Sequence, residues 1–262
     1  MTRVIAVANQ KGGVGKTTTA VNLAASLAAT KRRVLLVDLD AQGNATMGVG
    51  VDKDGVEKTA RDLLLDKAKP HEVVLALPDF GFSLIPANGD MTEAEVKLRE
   101  MPVGDFALKG VLQELAPDYD FILLDCPPAL SKLTVNALVA ADGVLIPMQC
   151  EYYALEGLSA LVDTVNRIRK LINPKLEIEG LLRTMFDPRN NLANDVSAQL
   201  LQHFGEKVYR TMIPRNVRLA EAPSHGQPAI VYDAQSLGAK AYLALAGEML
   251  RKHEGGQMRL ST

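Results

Sequence analysis

Asn9-Gln10-Lys11-Gly12-Gly13-Val14-Gly15-Lys16-Thr17-Thr18 is the stretch whose surroundings decide the fold. Ahead of it, residues 3–8 (RVIAVA) form a short β-branched, apolar run, the composition of a buried strand. Behind it, residues 18–29 carry Ala20, Val21, Leu23, Ala24, Leu27 and Ala28 at helical spacing, which predicts a helix from Thr18 to Ala29. A strand, a glycine-rich turn and a helix N-terminus in that order make an anion site, because free backbone N–H groups and the positive end of the helix dipole converge on one point. Gly12, Gly13 and Gly15 are expected to take positive φ and to leave the ligand unobstructed. Lys16 then reaches the β and γ phosphates, and the Thr17 hydroxyl ligates Mg²⁺.

The common phosphate-loop pattern is G-x-x-x-x-G-K-[ST], and here the position five before Gly15 is Gln10. What stands instead is K-G-G-V-G-K-T, with a second lysine, Lys11, at the head of the loop. This deviant Walker A form resembles the ParA/MinD family of P-loop ATPases. The resemblance implies that Lys11, Gly12, Gly13, Val14, Gly15, Lys16, Thr17 and Thr18 bind ATP. It also implies that Lys11 crosses a homodimer interface to the nucleotide of the partner subunit.

The rest of the chain supplies further carboxylates at strand ends. Residues 34–40 (VLLVDLD) read as a second apolar strand ending in Asp38 and Asp40, at the edge where open α/β sheets bind ligands. Residues 41–46 (AQGNAT) read as a mobile loop. DLDAQGNAT resembles the family's first switch, which implies that Asp40 orients the attacking water while Asp38 supports the metal shell. Aspartates after strands also cap turns, and that plainer role stands beside the catalytic one. Residues 121–125 (FILLD) are a third such strand, and Asp125 sits where a Walker B carboxylate holds Mg²⁺.

Between and after these, the periodicity predicts short helices at 59–65 and 71–76, a strand at 82–86, and helices at 92–99, 106–115 and 133–140. Strands follow at 143–147, 178–186 and 210–214, with helices at 154–172 and 192–203. A last helix spans 237–252 and is capped at Gly255-Gly256. Alternating apolar strands and amphipathic helices give an α/β fold, a doubly wound, mainly parallel sheet flanked by helices. With 262 residues, 47% of them hydrophobic, one domain over 1–262 is expected. No N-terminal helix-turn-helix module is expected, since the loop begins one strand from Met1. Cys126 and Cys150 read as reduced core thiols, and the four histidines show no metal-ligand spacing.

Net charge is −2, but residues 181–262 hold ten Lys and Arg against seven Asp and Glu, so any nucleic-acid surface is a local patch toward the C-terminal part. By resemblance, Arg189 and Arg218 bind double-stranded DNA without reading its sequence, and Pro214 and Asn216 contact the adenine ring. The stretch CEYYALEG resembles ParA proteins of the chromosomal type. The whole implies a ParA/Soj-type DNA-partitioning ATPase with weak intrinsic turnover. It would dimerise with ATP and Mg²⁺, act in the cytoplasm on the nucleoid of a chromosome or plasmid system, and answer to a ParB-type centromere-binding protein. The rival readings are a MinD-like membrane-associated ATPase, for which the tail EMLRKHEGGQMRLST lacks bulky aromatics, an iron–sulfur carrier, and a biosynthetic ligase.

Overall fold

The computed structural model describes residues 2–260, with side chains described through residue 253. In chain order the elements are β1 Arg3–Val7, α1 Lys16–Ala29, β2 Val34–Asp38, α2 Asn44–Gly48, α3 Ala60–Leu64, α4 Pro70–Val73, β3 Leu75–Leu77, β4 Phe82–Ile85, α5 Met91–Glu100, α6 Ala107–Leu115, β5 Phe121–Asp125, α7 Lys132–Ala140, β6 Gly143–Gln149, α8 Ala154–Leu171, β7 Glu177–Phe186, α9 Asn191–Phe204, β8 Val208–Pro214, α10 Val217–Glu221, α11 Ala229–Tyr232 and α12 Leu237–Leu260. The eight strands form one sheet in the order β3-β4-β2-β5-β1-β6-β7-β8, parallel except for β3, which runs antiparallel to β4 at one edge. This is the doubly wound architecture expected from the alternating pattern.

Helices cover both faces, which is why the central strands are continuous apolar runs rather than alternating ones. In β1, Val4 and Ala6 enter the layer roofed by α5, α6, α7 and α8, while Ile5 and Val7 enter the layer shared with α1 and α12. Register then sets the site. Val7 pairs with Asp125, and Asp38 with Asp125, so the loop after β1 emerges beside both strand-end carboxylates.

Several expectations are corrected. Helix α1 begins at Lys16, two residues before the periodicity suggested, because the lysine and threonine of the loop form its first turn. The stretch 41–46 is not loop throughout: α2 starts at Asn44, and Thr46 is bound to Asp38. The helix expected at 71–76 stops at Val73, and Leu75–Leu77 instead becomes the edge strand β3 by pairing with β4. Helix α12 runs through Gly255 and Gly256. Glycine permits a left-handed cap without requiring one, and no proline follows to end the helix. On α8, Leu158, Leu161, Val165 and Ile168 are buried, whereas Leu171 in the last turn is exposed. Among the described residues no helix is long and apolar enough to cross a membrane.

Candidate nucleotide site

The loop between β1 and α1 is shaped by two left-handed glycines, Gly13 at φ 73° and Gly15 at φ 86°. Gly12 is not at positive φ, contrary to expectation; its place is instead open, with no atom within 4 Å of where a Cβ would stand. The loop carbonyls are taken up by side chains of the neighbouring strands β6 and β7 and of the loop's own lysine. Thr184 Oγ1 donates to Val14 O at 2.8 Å, Gln149 Nε2 donates to Gly13 O at 3.1 Å, and Lys16 Nζ donates to Lys11 O at 3.1 Å. Asn9 accepts from Lys11 N at 3.0 Å and donates to Pro147 O at 2.8 Å. With the carbonyls turned into the protein, the loop amides remain for an anion.

Lys16 is buried, and burial lowers its ammonium below the ordinary lysine value, with Asp125 pulling the other way. Thr17 and Thr18 continue the first turn of α1 beside it. Lys11 lies at the exposed head of the loop, and its ammonium pairs with the Glu151 carboxylate, both half-exposed.

Three aspartates meet at the end of β2 and β5. Asp38 is fully buried; its Oδ2 accepts from Thr46 N at 2.9 Å and Thr46 Oγ1 at 2.8 Å, and its Oδ1 from Asp40 N at 3.1 Å. Both oxygens are therefore occupied in bracing the turn that leads into α2. Burial pushes the Asp38 carboxyl up to about 6, against these hydrogen bonds. Asp40 is half-buried after the strand, and its Oδ1 accepts from Gln42 N at 3.0 Å, the turn-capping role weighed from sequence. Asp125 differs from both. It is fully buried, and among the described residues neither of its oxygens has a hydrogen-bond partner of good geometry. Burial, followed by the charge of Asp38, raises it well above the usual carboxylate range, while Thr17 and Lys16 oppose the rise.

A buried carboxylate with two free oxygens, set against a threonine hydroxyl and a lysine, fits a divalent cation coordinated by oxygen. Asp125 and Thr17 are the residues that could hold Mg²⁺; Asp38 acts behind them. His, Cys, Asp and Glu side chains form no self-sufficient metal cluster among the described residues.

Beside the loop lies a cavity of about 150 Å³ lined by Gly15, Thr18, Met185, Pro214, Asn216 and Tyr242 among others. Pro214 and Asn216, 200 residues from the loop in sequence, are thus brought to it. Asn216 Oδ1 is buried without a partner among the described residues, an acceptor waiting for a donor. The arginines read as DNA ligands are elsewhere. Arg189 is exposed after β7 and grips Asp187 with Nε at 2.9 Å and Nη2 at 2.7 Å. Arg218 on α10 pairs with Glu221 at 2.8 Å and Asp233 at 3.3 Å. Arg189 holds the Asp187 carboxyl down to about 2, so its charge is partly neutralised from within.

Sequence reasoning missed Gln149, Thr184 and Tyr242. The only trace the first two leave is a polar residue inside or closing an apolar strand, and Tyr242 reads as an ordinary core side chain of α12.

Comparison with known proteins places the chain among relatives. A family described as AAA domain matches residues 2–178. The chain is 64% identical over 252 residues to an uncharacterized protein of Pseudomonas putida, covering 96% of each. It is 51% identical to the sporulation initiation inhibitor protein Soj of Bacillus subtilis, covering 95% of this chain and 98% of that one. Among solved structures, a Mycobacterium smegmatis protein named cobyrinic acid a,c-diamide synthase, with bound ATP analog and magnesium, superposes with a TM-score of 0.86. It shares 37% identity and covers 98% of this chain and 97% of its own.

Proposed function

Since the chain belongs to the ParA/Soj family of chromosome-partitioning P-loop ATPases, we propose that it is a nucleotide-controlled DNA-binding switch. ATP with Mg²⁺ joins two copies into a sandwich homodimer, the dimer binds duplex DNA without reading its sequence, and slow hydrolysis, stimulated by a ParB-type partner, releases it. The place of action in this reading is the cytoplasm, on the nucleoid. The observation that carries it is the unpartnered pair of oxygens on buried Asp125, set beside Thr17 and Lys16 at the start of α1.

The residues divide the work. The loop amides of Gly12 to Thr18 and the ammonium of Lys16 cradle the β and γ phosphates, Lys16 exchanging its bond to the Lys11 carbonyl for phosphate oxygen. Thr17 and Asp125 would hold Mg²⁺, which would supply the charge neutralisation that phosphoryl transfer needs. Asp40 orients the attacking water, and Asp38 keeps Asp40 and α2 in register through its bonds to Asp40 N and Thr46. Lys11 gives up Glu151, an exposed ion pair that contributes little, for the partner subunit's nucleotide. Pro214 packs on the base, and Asn216 Oδ1 accepts from its amino group. Arg189 and Arg218 meet DNA phosphates, their present carboxylate partners being exposed and exchangeable.

The relatives named for partition are the more identical ones and span nearly the full chain, which favours this reading over the synthase named for the Mycobacterium smegmatis structure. The test is a gel shift of a non-specific duplex with ADP, ATP and a slowly hydrolysed analogue. Retention with ATP and the analogue but not with ADP is expected; equal retention in all three, or none, overturns the proposal.

A further inference from the structure

Tyr242 is 1% exposed and sits on α12, 223 residues from the phosphate loop in sequence, yet its hydroxyl and the Thr19 Oγ1 lie 3.0 Å apart. Thr19 is in the first turn of α1, and its N–H donates to Gly15 O at 2.9 Å, closing the turn that presents the loop amides. The same tyrosine lines the cavity of about 150 Å³ that holds the unpartnered Asn216 Oδ1. One side chain therefore touches both the compartment for a base and the helix that grips phosphates.

At 1% exposure Tyr242 lends the cavity almost no surface of its own, so its part there is to hold the wall in place, and its polar tip needs a partner when buried. Here that partner is supplied by α1 rather than by solvent. We propose that Tyr242 is a positioning residue for the nucleotide base: it backs the wall of the cavity that seats the base, and its bond to Thr19 fixes that seat relative to the phosphate loop. The inference rests on the reading of this site as an ATP site and adds a residue to it. Burial also raises the phenol's pKa, so the hydroxyl keeps its proton and its bond to Thr19 across the working pH range.

A seat of this kind acts only on ligands that carry a base. Inorganic tripolyphosphate offers the same phosphates without one, so it separates base positioning from simple support of α1. The experiment uses the full chain with Mg²⁺ and measures affinity for ATP and for tripolyphosphate in wild type, Tyr242→Phe, Thr19→Val and the double variant. Losing one hydrogen bond is expected to weaken ATP about 3- to 10-fold in each single variant. The double variant should lose no more than either single one, and tripolyphosphate affinity should hold within about 2-fold. Equal losses for ATP and tripolyphosphate would reduce Tyr242 to a support of the helix and overturn the proposal. Unchanged ATP affinity in Tyr242→Phe would overturn it as well. Tyr242→Phe removes one oxygen and keeps the ring volume; should it still fail to fold, Thr19→Val probes the same bond from the other side. A folded wild type that binds neither ligand would refute the ATP-site reading itself rather than the role of Tyr242.

Discussion

The pair Asp38 and Asp125 makes the nucleotide-free protein lose stability as pH rises through the mildly acidic range. Burial lifts Asp38 from 3.8 to about 6 and lifts Asp125 in the same direction, so between the unfolded and folded values the native state binds more protons than the unfolded chain. The stabilising contribution of Asp38 is complete below about pH 3.8 and is lost as pH climbs through about 6, and that of Asp125 is lost in the same direction. For Asp38 alone the difference amounts to about 3 kcal/mol, at roughly 1.4 kcal/mol for each tenfold change. About half of that falls between pH 5 and 8, which in a chain of this size lowers the melting point by roughly 3–6 °C. The carboxyl of Glu179, held down to about 2 by His253, Lys252 and Arg3 against its own burial, has the opposite sign, but its effect falls at lower pH and is flat above about 4.5. The assay is thermal unfolding without nucleotide or metal from pH 5 to 8, for wild type and Asp125→Asn. The wild type should melt progressively lower, and Asp125→Asn, which replaces an unpartnered charge by an amide of the same shape, should melt higher than wild type at pH 8 with a flatter profile. Mg²⁺ with ATP should protect wild type more at pH 8 than at pH 5, because the cation needs the ionised carboxylate, and should protect the variant little. A wild-type melting point that stays constant or rises from pH 5 to 7 would refute the reasoning.

Three further outcomes are expected. Thr184→Val leaves the buried Val14 carbonyl without its donor and should destabilise the fold by about 1–3 kcal/mol while loosening the loop, so ATP should raise its melting point less than it raises that of wild type. Lys11→Ala should retain ATP binding to the single subunit and lose ATP-driven dimerisation in light scattering; a dimer of normal affinity would count against an in-trans role. Arg218→Ala should weaken binding to duplexes of every sequence alike and lower the slope of log affinity against log salt by about 1, with ATP affinity unchanged, and an unaltered slope would remove Arg218 from the DNA surface.

The parts of the fold legible in sequence are those decided by burial on both faces. Residues 121–124 are legible as a strand, because a run such as FILL, apolar at every residue, calls for cover on both faces of a sheet. The elements that escaped are held by tertiary bonds instead. Leu75–Leu77 is three residues long and only half-buried, so its strand character comes from the neighbouring β4 and not from its own pattern. AQGNAT carries turn residues, yet Asn44 onward is helical because Thr46 is pulled onto Asp38 by two bonds.

The site divides along the same line. Lys16, Thr17, Asp38 and Asp125 could be found because a glycine-rich loop after a strand, or a carboxylate ending one, has a chemical reason to exist at that point of the chain. Thr184, Gln149 and Tyr242 could not, because the atoms they meet lie 170, 136 and 223 residues away. They also correct the picture of the loop as a self-contained motif. Its glycines set the curve, but its carbonyls are withdrawn from the ligand by side chains of β6 and β7, and its helix is tied to α12. A loop of the same ten residues without those partners would present carbonyls as readily as amides to a phosphate. The anion site is therefore a property of the sheet edge as a whole, and substitutions on β6 and β7 should reach nucleotide affinity without touching the motif.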